Sequence, residues 1–80
     1  MQEMIGDIAG RVWKTLGKKG ELNIISLPML LKIKSEIVYQ GLGWLAREGK
    51  ISYAQRDGKQ FVSLTEAERN HFNSSQHNNH

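Results

Sequence analysis

Asp57-Gly58 lies between two runs in which apolar and polar residues alternate, ISYAQ before it and QFVSL after it. This pair is typical of the type I′ turn of a tight β-hairpin, so it predicts two antiparallel strands in a fixed register. The predicted cross-strand pairs are Ile51 with Leu64, Tyr53 with Val62, and Gln55 with Gln60. The first two pairs would form an apolar face that packs on a core, whereas Phe61 would point the other way and need separate cover.

The residues before the hairpin follow helical periodicity. Residues 2–16 carry one apolar face, and Gly17 is predicted to end that helix. The members of the face are Met4, Ile5, Ile8, Ala9, Val12 and Leu16. The segment ELNII then favours a short strand. Ser26 is predicted to be the N-cap of a short second helix. The inward residues of that helix are Leu27, Leu30 and Leu31.

A third helix is predicted to start at Ser35 and to end before Gly49. Helical spacing divides it into an apolar face and an outward face. The apolar face comprises Ile37, Val38, Gly41, Leu42 and Leu45, the outward face comprises Glu36, Gln40, Gly43 and Arg47, and Tyr39 and Trp44 lie at the two borders.

The C-terminal residues are predicted to contribute little to the fold. Thr65 and Glu68 have the spacing of a capping box, which favours a short final helix. Residues 70–80 are polar and low in complexity. Segments of this composition bury too little apolar surface to order themselves. We therefore predict a domain over residues 1–69 and a disordered tail over residues 70–80.

Length and composition limit the class of protein. Eighty residues support one small domain. The absence of cysteine excludes a disulfide scaffold and a thiolate metal site. No apolar run approaches the roughly 18 residues of a membrane span. A formal net charge of +3 leans towards anionic partners. The sequence thus predicts a soluble, cytoplasmic protein without a membrane partner.

The predicted order of helix, short strand, helix, helix and hairpin is that of a winged helix-turn-helix. The predicted fold class is therefore α+β, mainly α, in a single domain of this kind. The segments IGDIAGRVW and QGLGWLAREGKI also resemble those of a small bacterial and archaeal family of winged helix-turn-helix domains of unknown function. The resemblance extends over residues 5–65. It implies the same fold and assigns no activity.

The outward face of the third helix favours DNA binding. Base edges in a major groove are read chiefly by Arg or Lys at guanine and by Asn or Gln at adenine, which predicts base contacts by Gln40 and Arg47. The predicted phosphate contacts come from the turn before this helix and from the hairpin tip: Lys32, Lys34, Arg56 and Lys59. Glu36 opposes this reading, because it would lie near phosphates. The favoured function is non-catalytic binding of duplex DNA in a transcription-related role.

The glycines and tryptophans favour an alternative, a protein-interaction module. Gly6 and Gly10 share one side of the first helix, and Trp13 follows one turn later. A glycine inside a helix costs roughly 1 kcal/mol relative to alanine, which indicates a close neighbour. That neighbour could be the hairpin, Trp44 or a second subunit. With Gly43, these five residues form the predicted interface of a homodimer or partner complex.

Catalysis finds no support in the sequence. It contains no nucleophile motif, phosphate-binding loop or paired carboxylate arrangement, so we predict no enzymatic activity, no cofactor and no small-molecule substrate. His71, His77 and His80 lie in the predicted tail, where histidines are usually solvated. No metal site is therefore predicted.

Overall fold

The computed structural model describes the backbone of residues 2–77 and the side chains of residues 6–75. The elements within these residues are α1 (Gln2–Lys19), β1 (Leu22–Asn23), α2 (Ser26–Leu31), α3 (Ser35–Arg47), β2 (Ile51–Arg56), β3 (Lys59–Leu64) and α4 (Glu66–His77). Their order confirms the predicted winged helix-turn-helix. The side chains of Met4, Ile5 and His77, and the whole of residues 78–80, lie outside the described residues.

One hydrophobic core joins the helices to the hairpin. Its fully buried side chains are Val12, Leu16, Leu27, Val38 and Val62. The predicted inward position of Gly41 is confirmed, because α1 and α3 approach each other closely there. A Cβ added at Gly41 would lie 3.0 Å from Cγ2 of Ile8 and 3.4 Å from the backbone nitrogen of Ala9. A larger residue at Gly41 would push the two helices apart.

The hairpin has the predicted register. Ile51 pairs with Leu64, Tyr53 with Val62, and Gln55 with Gln60. Asp57 and Gly58 both have positive φ, 54° and 74°, as a type I′ turn requires. β1 pairs with β3 on its other edge and gives the sheet order β1-β3-β2. Tyr53 is 44% exposed, so it contributes less to the apolar face than predicted. Its partial burial raises the pKa of the phenol.

A C-terminal helix, α4, occupies most of the segment that was predicted to be a disordered tail. α4 continues from Glu66 to His77, and Phe72 is buried in the core at 5% exposure. Gly17, which was predicted to end α1, lies inside α1. The Phe72 ring packs against Gly17, where a Cβ would overlap the ring. The helix α1 ends instead at Lys19 and is followed by Gly20, whose φ is 80°. A single aromatic side chain therefore anchors a segment whose polar composition favoured disorder.

The helix α3 begins at Ser35, as predicted, whereas α2 begins one residue earlier than its predicted N-cap implies. Ser26 is the first residue of α2 rather than its N-cap, and neither α2 nor α3 has a side-chain cap. Leu30, predicted to face inward, is 46% exposed, because the short α2 turns only Leu27 and Leu31 into the core. Among the described residues, no helix is both long and apolar enough to cross a membrane.

Candidate nucleic-acid interface

The α3 helix presents one polar face outside the core. Its buried residues, Val38, Gly41, Leu42 and Leu45, lie on one side and fix the rotation of the helix about its axis. The opposite side is exposed along its length, as predicted, and comprises Glu36, Gln40, Gly43 and Arg47. Gln40 and Arg47 lie on this side about two turns apart. Packing of the apolar face therefore holds both predicted base-reading side chains in solvent.

The turn between α2 and α3 exposes two lysines. Lys32 adopts a left-handed conformation, with φ 58° and ψ 44°, and its backbone N–H donates to the carbonyl oxygen of Pro28. The backbone nitrogen of Ile33 donates to the same oxygen at 3.1 Å, and the Ile33 side chain packs against the core. Lys34 directly precedes α3. Because the Ile33 side chain packs against the core, the turn leaves Lys32 and Lys34 exposed just before α3.

The hairpin tip brings the other two predicted phosphate contacts together. Arg56 and Lys59 are direct cross-strand partners next to the turn, and both are exposed. The guanidinium of Arg56 lies 4.3 Å from the centroid of the Phe61 ring. This cation–π contact gives Phe61 the cover that its outward position requires.

Arg56 is not a free cation, because Glu21 binds it. Nη1 of Arg56 donates to Oε2 of Glu21 at 3.3 Å, and Nη2 donates to Oε1 in a shorter contact. This hydrogen-bonded pair lowers the pKa of Glu21 and raises the pKa of Arg56. The sequence prediction missed Glu21. No local sequence pattern signals this pair, because it depends on how β1 docks against β3.

The predicted interaction residues lie largely around one groove. Gly6, Gly10, Trp13 and Trp44 line it, whereas Gly43 lies apart on the outward side of α3. A Cβ added at Gly6, Gly10 or Gly43 meets no atom within 4 Å. The close neighbour expected for these glycines is therefore not among the described residues of this chain. The homodimer itself stays a prediction.

The Trp13 side chain is held in place by Glu68, a residue of the predicted capping box. Its Nε1 donates to Oε1 of Glu68 at 2.8 Å, and its ring makes an edge contact with Phe72 at 5.3 Å between centroids. The backbone nitrogen of Glu68 donates to Oγ1 of Thr65 at 3.4 Å, which is half of the predicted capping box. The Glu68 carboxylate binds Trp13, and the Thr65 N–H donates to the carbonyl oxygen of Lys50.

Solved structures of other proteins share the fold of this chain. The transcriptional regulator HlyU from Vibrio vulnificus CMCP6 is 18% identical, with a TM-score of 0.74 over 90% of this chain and 75% of that chain. ZitR from Lactococcus lactis is 16% identical, with a TM-score of 0.78 over 96% of this chain. This chain spans 60% of the ZitR chain. At this level of identity the likeness shows a shared fold.

A further structural relative and the family comparison agree with this fold. Protein BT2368 from Bacteroides thetaiotaomicron is 27% identical, with a TM-score of 0.72 over 79% of this chain and 77% of that chain. No curated protein matches the chain. The family described as Winged helix-turn-helix domain (DUF2582) matches residues 1–64, which confirms the resemblance seen in the sequence motifs. The chain belongs to this winged helix-turn-helix family.

Proposed function

We propose that this domain binds duplex DNA without catalysing a reaction and acts in a transcription-related role. The observation that carries the proposal is the exposed polar side of α3, which has exposed cations in the turn before it and at the hairpin tip. A major groove admits one α-helix, and phosphates border it on both sides. The fold shared with the transcriptional regulator HlyU supports the same role. A role on DNA also accords with the predicted cytoplasmic location.

Gln40 and Arg47 would contact base edges. The amide of Gln40 can pair with adenine through two hydrogen bonds, and the guanidinium of Arg47 can do the same with guanine. Each well-formed pair is worth about 1–3 kcal/mol of discrimination. Gly43 lies between them on the same side and would let α3 approach the floor of the groove closely.

Lys32, Lys34, Arg56 and Lys59 would contact phosphates. Their exposed positions on two separate elements suit the two strands that border a groove. Glu36 is an acidic residue on the same side as Gln40. Because its carboxylate would face the phosphates, we expect Glu36→Gln to strengthen binding.

The test is a fluorescence-anisotropy titration of a labelled random-sequence duplex with the full chain at about 50 mM salt, where phosphate contacts are strong. Lys34→Glu and Arg56→Glu are each expected to abolish detectable binding. Lys18→Glu makes the same charge change on an exposed residue of α1 and is expected to retain most of the affinity.

Two results would overturn the proposal. One is the absence of binding by the unaltered chain at this salt concentration. The other is an equal loss of affinity in all three variants, which would indicate a general effect of net charge. Circular dichroism of each variant checks that the fold is retained.

A further inference from the structure

One groove is lined by four of the predicted interaction residues: Gly6, Gly10, Trp13 and Trp44. Its volume is about 330 Å³, and it is lined by residues of α1, α3 and α4 together with Lys50. Pockets that hold small molecules usually measure about 300–1,000 Å³. The groove is therefore large enough for one small ligand.

The α1 side of the groove is bare helix backbone at Gly6 and Gly10. Gly6 and Gly10 are both exposed, and a side chain at either would enter open space. Internal packing therefore does not require glycine at these positions. The two glycines leave a flat surface against which a planar group can lie at van der Waals distance.

Two indole rings border this flat surface. Trp13 is held in place by its hydrogen bond to Glu68 and by its edge contacts with His71 and Phe72. Trp44 reaches the groove from α3 and is 40% exposed. Aromatic rings attract one another in stacked or edge-to-face arrangements. A rigid indole and an exposed indole beside an open surface favour a ligand with an aromatic ring.

The charged residues of the groove favour an anion. Lys14 and Lys50 line it, and its acidic residue, Glu68, already accepts the indole N–H of Trp13. His71 is the remaining titratable side chain in the lining. Two lysines in a lining whose one carboxylate is already engaged favour a ligand that carries its own negative charge.

We propose that the groove binds a small planar aromatic molecule with one acidic group. Its ring lies on the backbone of Gly6 and Gly10 between the two tryptophans, and its anionic group lies near Lys14 and Lys50. A second copy of the chain fits less well, because a twofold axis through this groove would bring equivalent lysines of the two copies together. The proposal does not depend on DNA binding.

The two tryptophans give the experiment a direct readout. The full chain, labelled with ¹⁵N, is titrated with 2-naphthoate, and the two indole N–H resonances are followed by NMR. Both resonances are expected to move along saturable curves. The neutral analogue 2-naphthalenemethanol is expected to bind about tenfold more weakly, because it lacks the charge that the lysines attract. Lys14→Gln and Lys50→Gln should weaken binding of 2-naphthoate and leave binding of 2-naphthalenemethanol unchanged.

A matched pair of substitutions tests the position of the ligand. Gly10→Leu fills the groove from α1, whereas Gly43→Leu makes the same change at an equally open helical glycine outside it. Both variants are expected to fold, because a Cβ at either position meets no atom within 4 Å. Gly10→Leu should weaken 2-naphthoate binding by about tenfold or more, and Gly43→Leu should leave it unchanged.

Three results would overturn the proposal. The first is that neither indole resonance moves with 2-naphthoate. The second is that the neutral analogue binds equally well, or that Gly10→Leu binds like the unaltered chain. The third is a dimer in analytical ultracentrifugation that Gly10→Leu converts to a monomer, which would show that a second copy occupies the groove.

Discussion

At the scale of single residues, Arg56 is a charged side chain whose ion-pair partner, Glu21, could not be predicted from the sequence. The motif RDGK predicts two exposed cations at the hairpin tip, and both are there. Glu21 lies 35 residues away along the chain and neutralises one of them. Pairing between distant residues depends on how β1 docks against β3, which local sequence patterns do not specify.

We predict that Glu21 competes with DNA phosphate for Arg56. Replacing Glu21 with Gln removes the competing charge, so affinity for random duplex should rise by roughly two- to fivefold. Glu66→Gln is the control, because it changes the net charge equally at an exposed position in the first turn of α4. Equal gains in the two variants, measured by fluorescence anisotropy, would show that only net charge matters.

The same pair predicts a pH dependence of stability. Arg56 holds the pKa of Glu21 below its usual value of 4.5. The contribution of the pair is therefore present above that value and is lost as the pH falls through the lowered pKa of Glu21. Urea unfolding should show the chain more stable than its Glu21→Gln variant at neutral pH, with the difference vanishing once the pH has fallen below the lowered pKa of Glu21. A difference that persists there would contradict this role of the carboxylate.

Replacement by alanine should change the free energy of unfolding in opposite directions at two glycines of α1, Gly17 and Gly10. Gly17→Ala introduces a Cβ that overlaps the Phe72 ring, so we expect a loss of about 1–3 kcal/mol in the free energy of unfolding. Gly10→Ala adds a methyl group in open space and should gain up to about 1 kcal/mol from helix propensity. Urea denaturation followed by circular dichroism measures both. A stabilising Gly17→Ala would mean that Phe72 does not pack there.

At the scale of elements, the hairpin could be predicted from the sequence because its determinants are local. An Asp-Gly turn and alternating strands fix the register between neighbouring residues. The outward side of α3 followed from helical periodicity for the same reason. By contrast, α4 depends on one aromatic residue, Phe72, whose space is made by Gly17 on another helix. Composition alone therefore indicated a tail where a helix exists.

Phe72 should be as important to stability as the central core residues. Phe72→Ala is expected to cost about 3–5 kcal/mol and to reduce the helical signal, because it removes the anchor of α4. Asn73→Ala, at an exposed position of the same helix, is the control and should change little. If residues from 70 onward were disordered as the sequence predicted, both variants would unfold at the same urea concentration as the unaltered chain.

At the scale of the whole molecule, one core fixes the relative positions of α3 and the wing. The candidate site is predictable in part: helical spacing identified Gln40 and Arg47 as exposed. The groove beside Trp13 was not predictable as a ligand site, because it needs α1, α3 and α4 to be assembled. The sequence identified Gly6, Gly10, Trp13 and Trp44 as candidate interaction residues. It could not show that Lys14, Lys50 and Glu68 line the same groove.

The salt dependence of duplex binding tests DNA recognition most directly. Four phosphate contacts predict that the logarithm of the binding constant falls with the logarithm of the salt concentration at a slope of about −3.6. This slope corresponds to roughly a hundredfold loss of affinity between about 50 and 200 mM salt. Lys34→Ala should reduce the slope by about 0.9. Undetectable binding at about 50 mM salt, or a slope unchanged in Lys34→Ala, would contradict recognition of DNA by α3 and the turn before it.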